Sequence, residues 1–251
     1  MGSTIGTPPA AMTTTHPLRP EPQKPLGGPL AYLPCSGIAE YKKGQFIYNQ
    51  HQHGTSLYLI IGGRVKISLL ADDGDQVVVD IYQQDEFFGE AAFLQNGHGC
   101  EHATAMDDTK LMSWTAAQLQ DIIVRRPQLA MAFMQILVRR TEDFACRIES
   151  FSGDPIDRRL ARALIRFSER MGEETEAGDG SFRMPPLTHE LLAQHVGTSR
   201  EIITTHLNRF RREGYLKFSR KEVIVFRDPL REWVRASLGP NDFRATASHP
   251  L

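Results

Sequence analysis

The chain has 251 residues, 41% of them apolar and 24% charged, which is enough for two domains with a packed core in each. Its net charge of −1 and three widely spaced cysteines (Cys35, Cys100, Cys146) exclude a disulfide scaffold, a CxxC zinc framework and a polybasic tail protein. No apolar run approaches the ~20 residues of a membrane span, and no basic-then-apolar leader opens the chain. A reducing, cytoplasmic setting without a membrane partner is expected.

Residues 1–29 are rich in Thr, Pro and Gly and lack any apolar period, so they are predicted to be a disordered tail. From 30 to 115 the chain reads as β structure. GQFIYNQ, SLYLIIGGRVKISLLA and QVVVDIYQ are short runs rich in Val, Ile and Tyr. Gly62-Gly63 and Asp73-Gly74 mark hairpin turns, and strands at this spacing suggest a small barrel or β-roll. Phe87-Phe88-Gly89-Glu90-Ala91 then reads as a strand end, a glycine and a short helix start, where free N–H groups form an anion site. The sensor-like region is placed at 30–126.

A single long helix is predicted over 127–153. Met134, Leu137, Thr141, Phe144, Ile148 and Phe151 follow the 3-4 spacing of a heptad seam, which predicts helix pairing between two copies. The alternative is a helix packed on its own domain. Asp154-Pro155 supplies a cap and a first-turn proline for a new helix over 156–171, so the joint at 152–155 is the predicted boundary. Residues 172–180 form an acidic loop and 181–186 a lead-in.

Residues 187–218, LTHELLAQHVGTSREIITTHLNRFRREGYLKF, carry the strongest signal. A helix from His189 to His195 has Thr188 as its N-cap, and Gly197 stops it. A second helix from about Ser199 to Glu213 has Ile203, Leu207 and Phe210 on one stripe, with Glu201, Thr205, Asn208 and Arg212 opposite. This is the helix-turn-helix pattern. From 187 to 231, nine basic residues face five acidic ones, a net +4 inside a chain of net −1. A basic patch confined to one segment is the footprint of nucleic-acid binding, although a three-helix domain with a solvated basic face would share it. Two strands around a basic turn, 215–218 and 223–226, make a wing. A last helix over 229–238 completes a unit spanning 154–238, before a tail at 239–251.

The order of β-roll, Phe88-Gly89-Glu90, long helix, helix-turn-helix and wing resembles the Crp/Fnr superfamily of bacterial transcription regulators. Leu57–Ile67, Phe88-Gly89-Glu90, Leu160-Ala161 and Leu187–Leu216 carry the resemblance. It implies an α+β fold: an N-terminal double-stranded β-helix, a long dimerisation helix and a C-terminal winged helix-turn-helix. It also implies a homodimer on near-palindromic double-stranded DNA, an activator or a repressor, with RNA polymerase as a partner, and no enzymatic activity. Arg200, Glu201, Thr204 and Thr205 become base-reading candidates; Arg200 suits guanine and Glu201 suits cytosine. Thr198-x-x-Glu201 is also a capping box that competes for the same carboxylate. Thr205 stands where the family often has arginine, so the half-site is expected to depart from TGTGA. Thr188, Ser199, Arg209, Lys217, Arg220 and Lys221 are phosphate candidates.

Gly89, Glu90, Ala91, Glu101, His102 and Phe144 mark the expected effector pocket. Cyclic-AMP-binding members place an arginine about ten residues after the Gly-Glu, whereas this chain has Cys100, Glu101 and His102 there. A carboxylate facing a phosphate repels it, and a lost charge-assisted pair costs ~1.5–3 kcal/mol. Phe144 aligns near the position that hydrogen-bonds adenine and cannot do so. No cofactor is therefore assigned, and control by cyclic AMP in the usual pose is not expected. The rival readings are an effector-independent regulator and a metal- or redox-responsive switch using His98, Cys100 and His102.

Overall fold

The computed structural model describes residues 29–49, 55–70, 74, 76–94, 101–176, 179–219 and 221–236. The predicted tails lie outside the described residues, apart from Pro29, as do His51, His53, Asp73, His98, Cys100 and Arg220.

The N-terminal half is a roll of eight strands: β1 Ile38–Tyr41, β2 Phe46–Tyr48, β3 Ser56–Gly62, β4 Val65–Leu70, β5 Gln76–Tyr82, β6 Phe87–Phe88, β7 Glu101–Ala105 and β8 Thr109–Thr115. They form two antiparallel sheets, ordered β1-β8-β3-β6 and β2-β7-β4-β5. Alternating side chains point inward from both sheets, and Ile60, Val65, Ile67, Phe88, Ala103 and Leu111 make the shared core. A short 3-10 turn, Glu90–Phe93, leaves the end of β6.

Helix α1, Ala116–Arg125, was absent from the predicted elements. It starts with a capping box, in which the Thr115 hydroxyl accepts from the Gln118 amide and Gln118 accepts from the Thr115 amide. Helix α2 runs Gln128–Gly153. Its first turns bury Leu129 and Phe133 against Leu57, Leu59, Phe87, Trp114 and Leu119, which fixes the helix to the roll.

That packing decides which side of α2 stays uncovered. Met131, Met134, Val138, Thr141, Ala145 and Ile148 are all exposed, and their 3-4 spacing makes one continuous stripe. The stripe is the predicted seam rotated by about one position. Met134, Thr141 and Ile148 are shared, and Leu137 lies at its edge. Phe144 is half-buried. Phe151 packs toward the C-terminal unit, its ring flanked by Arg147 and Arg159 at 5.3 and 5.2 Å.

The C-terminal unit contains α3 Ile156–Met171, β9 Glu173–Glu174, β10 Ser181–Met184, α4 His189–Val196, α5 Arg200–Arg212, β11 Leu216–Phe218, β12 Val223–Phe226 and α6 Arg227–Ala236. The predicted two-stranded wing belongs to a four-stranded sheet, β11-β12-β10-β9, because the acidic loop and the lead-in each donate a strand. At the joint, Asp154 accepts from Ser150 and pairs with Arg158 at 3.1 Å and Arg162 at 2.8 Å, so its side chain binds arginines rather than capping α3.

The roll and the C-terminal unit share core. Val78 and Ile81 of β5 are 0% and 1% exposed and belong to the same apolar cluster as Leu160, Leu164, Leu192 and Val196. Between them Asp80, 2% exposed, accepts from Arg166 at 3.1 Å and Arg170 at 2.6 Å. Arg170 also reaches Glu86 at 2.7 Å.

Candidate DNA-reading surface and effector pocket

The helix-turn-helix forms as its caps dictate. The Thr188 hydroxyl accepts from the Leu191 amide at 3.1 Å. Gly197 ends α4 at φ 74°, where a Cβ would come within 2.9 Å of the Phe151 ring, so both backbone and space require glycine. The N-cap of α5 is Ser199, not Thr198, and its hydroxyl accepts from Ile202. The capping box expected from Thr198 and Glu201 is thus not formed. Glu201 instead bonds its own main-chain N–H and the Ser199 hydroxyl, and these hold its carboxyl below the usual range. Ile203, Leu207 and Phe210 are fully buried, which leaves Arg200, Glu201, Thr205, Asn208 and Arg212 exposed on the outer side.

Two predicted contacts are occupied by the fold itself. Thr204 is half-buried, and its hydroxyl donates to Arg200 O at 2.8 Å and meets His189 Nδ1 at 2.8 Å. It ties α5 to α4, and its hydroxyl is engaged within the unit. Arg209 pairs with Asp157 at 3.0 Å and stacks near Phe210 and Trp233, so its charge is already neutralised inside the unit. The sequence could not show this, because Asp157 lies 52 residues away. Lys217 and Lys221 are exposed on the wing.

In the roll, Gly89 has φ 89°, and a Cβ there would meet Ser56 O at 2.6 Å and the Tyr58 ring at 3.0 Å. The glycine lets β6 turn tightly and presents Glu90 beneath α2. The cation at this mouth comes from the helix and not from the roll. Arg140 donates to Glu90 at 2.5 Å and to Phe87 O, and its guanidinium lies 4.4 Å over the Tyr82 ring. Arg140 lies 50 positions beyond Glu90, so the residues that follow Gly89 do not reveal it.

Glu101 and His102 occupy opposite sides of β7, as neighbours in a strand must. His102 is 9% exposed and packs beside Phe46 at 5.9 Å, away from the mouth. Glu101 is half-buried, and burial, followed by the Glu90 charge, pushes its carboxyl above the usual range. The raised value favours the neutral acid in the fold, so a stability penalty appears as pH rises past the ordinary glutamate range. Glu101→Gln should therefore raise Tm at pH 7 and leave it unchanged at pH 4. Scanning calorimetry at the two pH values checks this, and equal shifts at both would contradict it. Among the described residues, no group of three His, Cys, Asp or Glu could hold a metal ion.

A helix with Arg-Glu at its exposed tip, seated on a capped partner helix and followed by a wing, defines a winged helix-turn-helix DNA-binding regulator joined to a sensor-type roll. Residues 38–126 match the cyclic nucleotide-binding domain family, and residues 158–231 match the Crp-like helix-turn-helix domain family. The chain belongs to the Crp/Fnr family of transcription regulators. It is 28% identical over 187 residues to a CRP-like cAMP-activated global transcriptional regulator of Mycobacterium tuberculosis, covering 74% of this chain and 82% of the relative. It is 25% identical to a global nitrogen regulator of Synechococcus elongatus, covering 75% of this chain and 85% of the relative. Among solved structures, a CooA variant from Carboxydothermus hydrogenoformans shares the fold. Its TM-score is 0.66 at 20% identity, over 79% of this chain and 87% of that one. The relatives are regulators and not enzymes.

Proposed function

We propose that two copies of this chain pair along α2 and place their α5 helices in successive major grooves of a near-palindromic site, without needing cyclic AMP in the usual pose. The observation that carries the effector reading is the ion pair between Glu90 and Arg140, with Glu101 beside it. Among the described residues, the mouth of the roll holds two carboxylates, Glu90 and Glu101, and one arginine, which is already engaged. A cyclic phosphate entering there would face the unpaired carboxylate and would have to displace Arg140 from Glu90. The Mycobacterium relative is cAMP-activated by its name. Within this reading RNA polymerase is a partner of the DNA-bound dimer.

The stripe on α2 supports pairing, since Met134, Val138 and Ile148 are 56%, 53% and 68% exposed in the single chain. Val138→Asp should bury an unpaired charge in the seam and weaken the dimer by about 3 kcal/mol, roughly a hundredfold in Kd. Sedimentation equilibrium reads this directly, and an unchanged dimer would place the interface elsewhere.

The test of the whole reading is selection of random-sequence DNA by the purified protein, with and without cyclic AMP. A palindromic motif enriched equally in both is the expected result. A motif present only with cyclic AMP would sink the pocket reading and leave the DNA reading intact.

A further inference from the structure

A cavity of about 460 Å³ lies between the second half of α2, α3, the last turn of α4 and α6. It is separate from the mouth of the roll and from the outer face of α5. Its size falls within the roughly 300–1,000 Å³ of small-ligand sites. Seven arginines line it against two carboxylates, so its sign is strongly positive.

Arg158, Arg162, Arg166 and Arg231 have acidic partners, whereas Arg147, Arg159 and the exposed Arg235 have no ion-pair partner among the described residues. Arg147 donates to the carbonyls of Val78, Val79 and His195 at 2.8, 2.6 and 2.7 Å. Arg159 donates to Val196 O at 3.0 Å. Burial and then the Arg166 charge push Arg147 down to about 10, and the nearby Asp80 charge offsets them only in part. The Phe151 ring separates the two guanidiniums and gives the cavity a flat apolar wall.

His195 adds a second kind of polar atom. It is 4% exposed, and its Nδ1 has no partner among the described residues. Burial, and then the Arg147 charge, keep it neutral, while the ring also bonds the Val78 main chain. A neutral imidazole that donates from one nitrogen offers a lone pair on the other. The cavity therefore presents two half-buried arginines without carboxylate partners beside an apolar wall, with exposed Arg235 at its rim and the unpartnered His195 Nδ1 just beneath its lining.

We propose that this cavity binds a small phosphorylated molecule that also carries a hydroxyl group, of mononucleotide size. Its phosphate takes Arg147 and Arg159 in charge-assisted pairs, and its hydroxyl donates to His195. Binding alters DNA affinity for a geometric reason. Arg147 and Arg159 grip the carbonyls of His195 and Val196, the last two residues of α4, just before the turn into α5. A phosphate competes with those carbonyls for the same guanidiniums and resets the angle of the helix-turn-helix against α2.

The experiment titrates the full-length protein with ribose 5-phosphate and with 5′-AMP, using adenosine as the control without phosphate. Heat release and protection of Cys146 are both read. Cys146 is an exposed free thiol on the cavity wall, and its alkylation can be followed by peptide mass spectrometry with no substitution in the protein. Both phosphorylated probes should bind and slow alkylation of Cys146, and adenosine should do neither. Arg159→Gln should weaken binding roughly tenfold or more, while Glu90→Gln, in the roll, leaves it unchanged. No heat and no protection with either probe would overturn the proposal. Binding lost in Glu90→Gln but kept in Arg159→Gln would place the ligand in the roll instead. Absence of probe binding, with Arg159→Gln weakening DNA on all sequences and lowering the salt slope by about one, would assign the arginines to a DNA phosphate.

Discussion

Asp80→Asn is expected to cost about 3 kcal/mol of stability, the lower end of the range for removing one partner of a buried ion pair. The side chain is 2% exposed and serves three donors: the Ile81 amide at 2.8 Å, Arg166 at 3.1 Å and Arg170 at 2.6 Å. Asparagine keeps an oxygen for one of them but carries no charge, so two guanidiniums anchored in the interior lose their common counterion. The cost stays at the lower end because both arginines keep about a fifth of their side-chain surface in water. Arg170 also retains Glu86 and its stacking near Tyr82. Urea unfolding measures the loss. A double-mutant cycle with Arg170→Met should show strong coupling, because the second change removes one of the stranded charges. A change below about 0.5 kcal/mol would mean that water reaches the site and screens it.

Arg200→Ala is expected to remove about 1–3 kcal/mol of discrimination at one base pair of each half-site, with a smaller loss on other sequences. Arg200 is exposed at the first position of α5, beyond the Ser199 cap, and no ion pair within the described residues holds it. Competition binding against a set of single-base half-site variants separates base reading from phosphate contact. Equal weakening on every variant, with a shallower salt dependence, would make Arg200 a phosphate contact. Thr204→Ser should leave the base preference unchanged, because its hydroxyl is spent on His189 and the Arg200 carbonyl.

The elements that the sequence revealed are those whose causes are local. Thr188, Gly197 and the Ile203–Leu207–Phe210 stripe sit within about two turns of what they control, and α4 and α5 fall where they place them. The missed α1 was also local, since Thr115-x-x-Gln118 announces it, but the signal is easily lost at the end of a strand-rich stretch. The α2 stripe was legible only to within one position. Apolar residues fit the heptad in two adjacent registers, and the choice between them is made by Leu129 and Phe133 packing on Trp114 and Leu119. The long-range polar pairs were not legible. Asp80 meets arginines 86 and 90 residues away, and no periodicity links a carboxylate to a guanidinium at such distances. The Glu90–Arg140 pair, 50 residues apart, is hidden from the sequence for the same reason.

The apolar cluster that β5 shares with the C-terminal helices bears on the modularity of the protein. Val78 and Ile81 are rooted in the roll but complete the interior of the DNA-binding unit. A chimera that joined a foreign roll to residues 154–236 would leave two vacancies in that interior and an unmatched pair of arginines at its surface. Drift in β5 is therefore constrained from both sides, by the sheet that contains it and by the reading head that leans on it. The halves of this regulator can diverge only together along that strand.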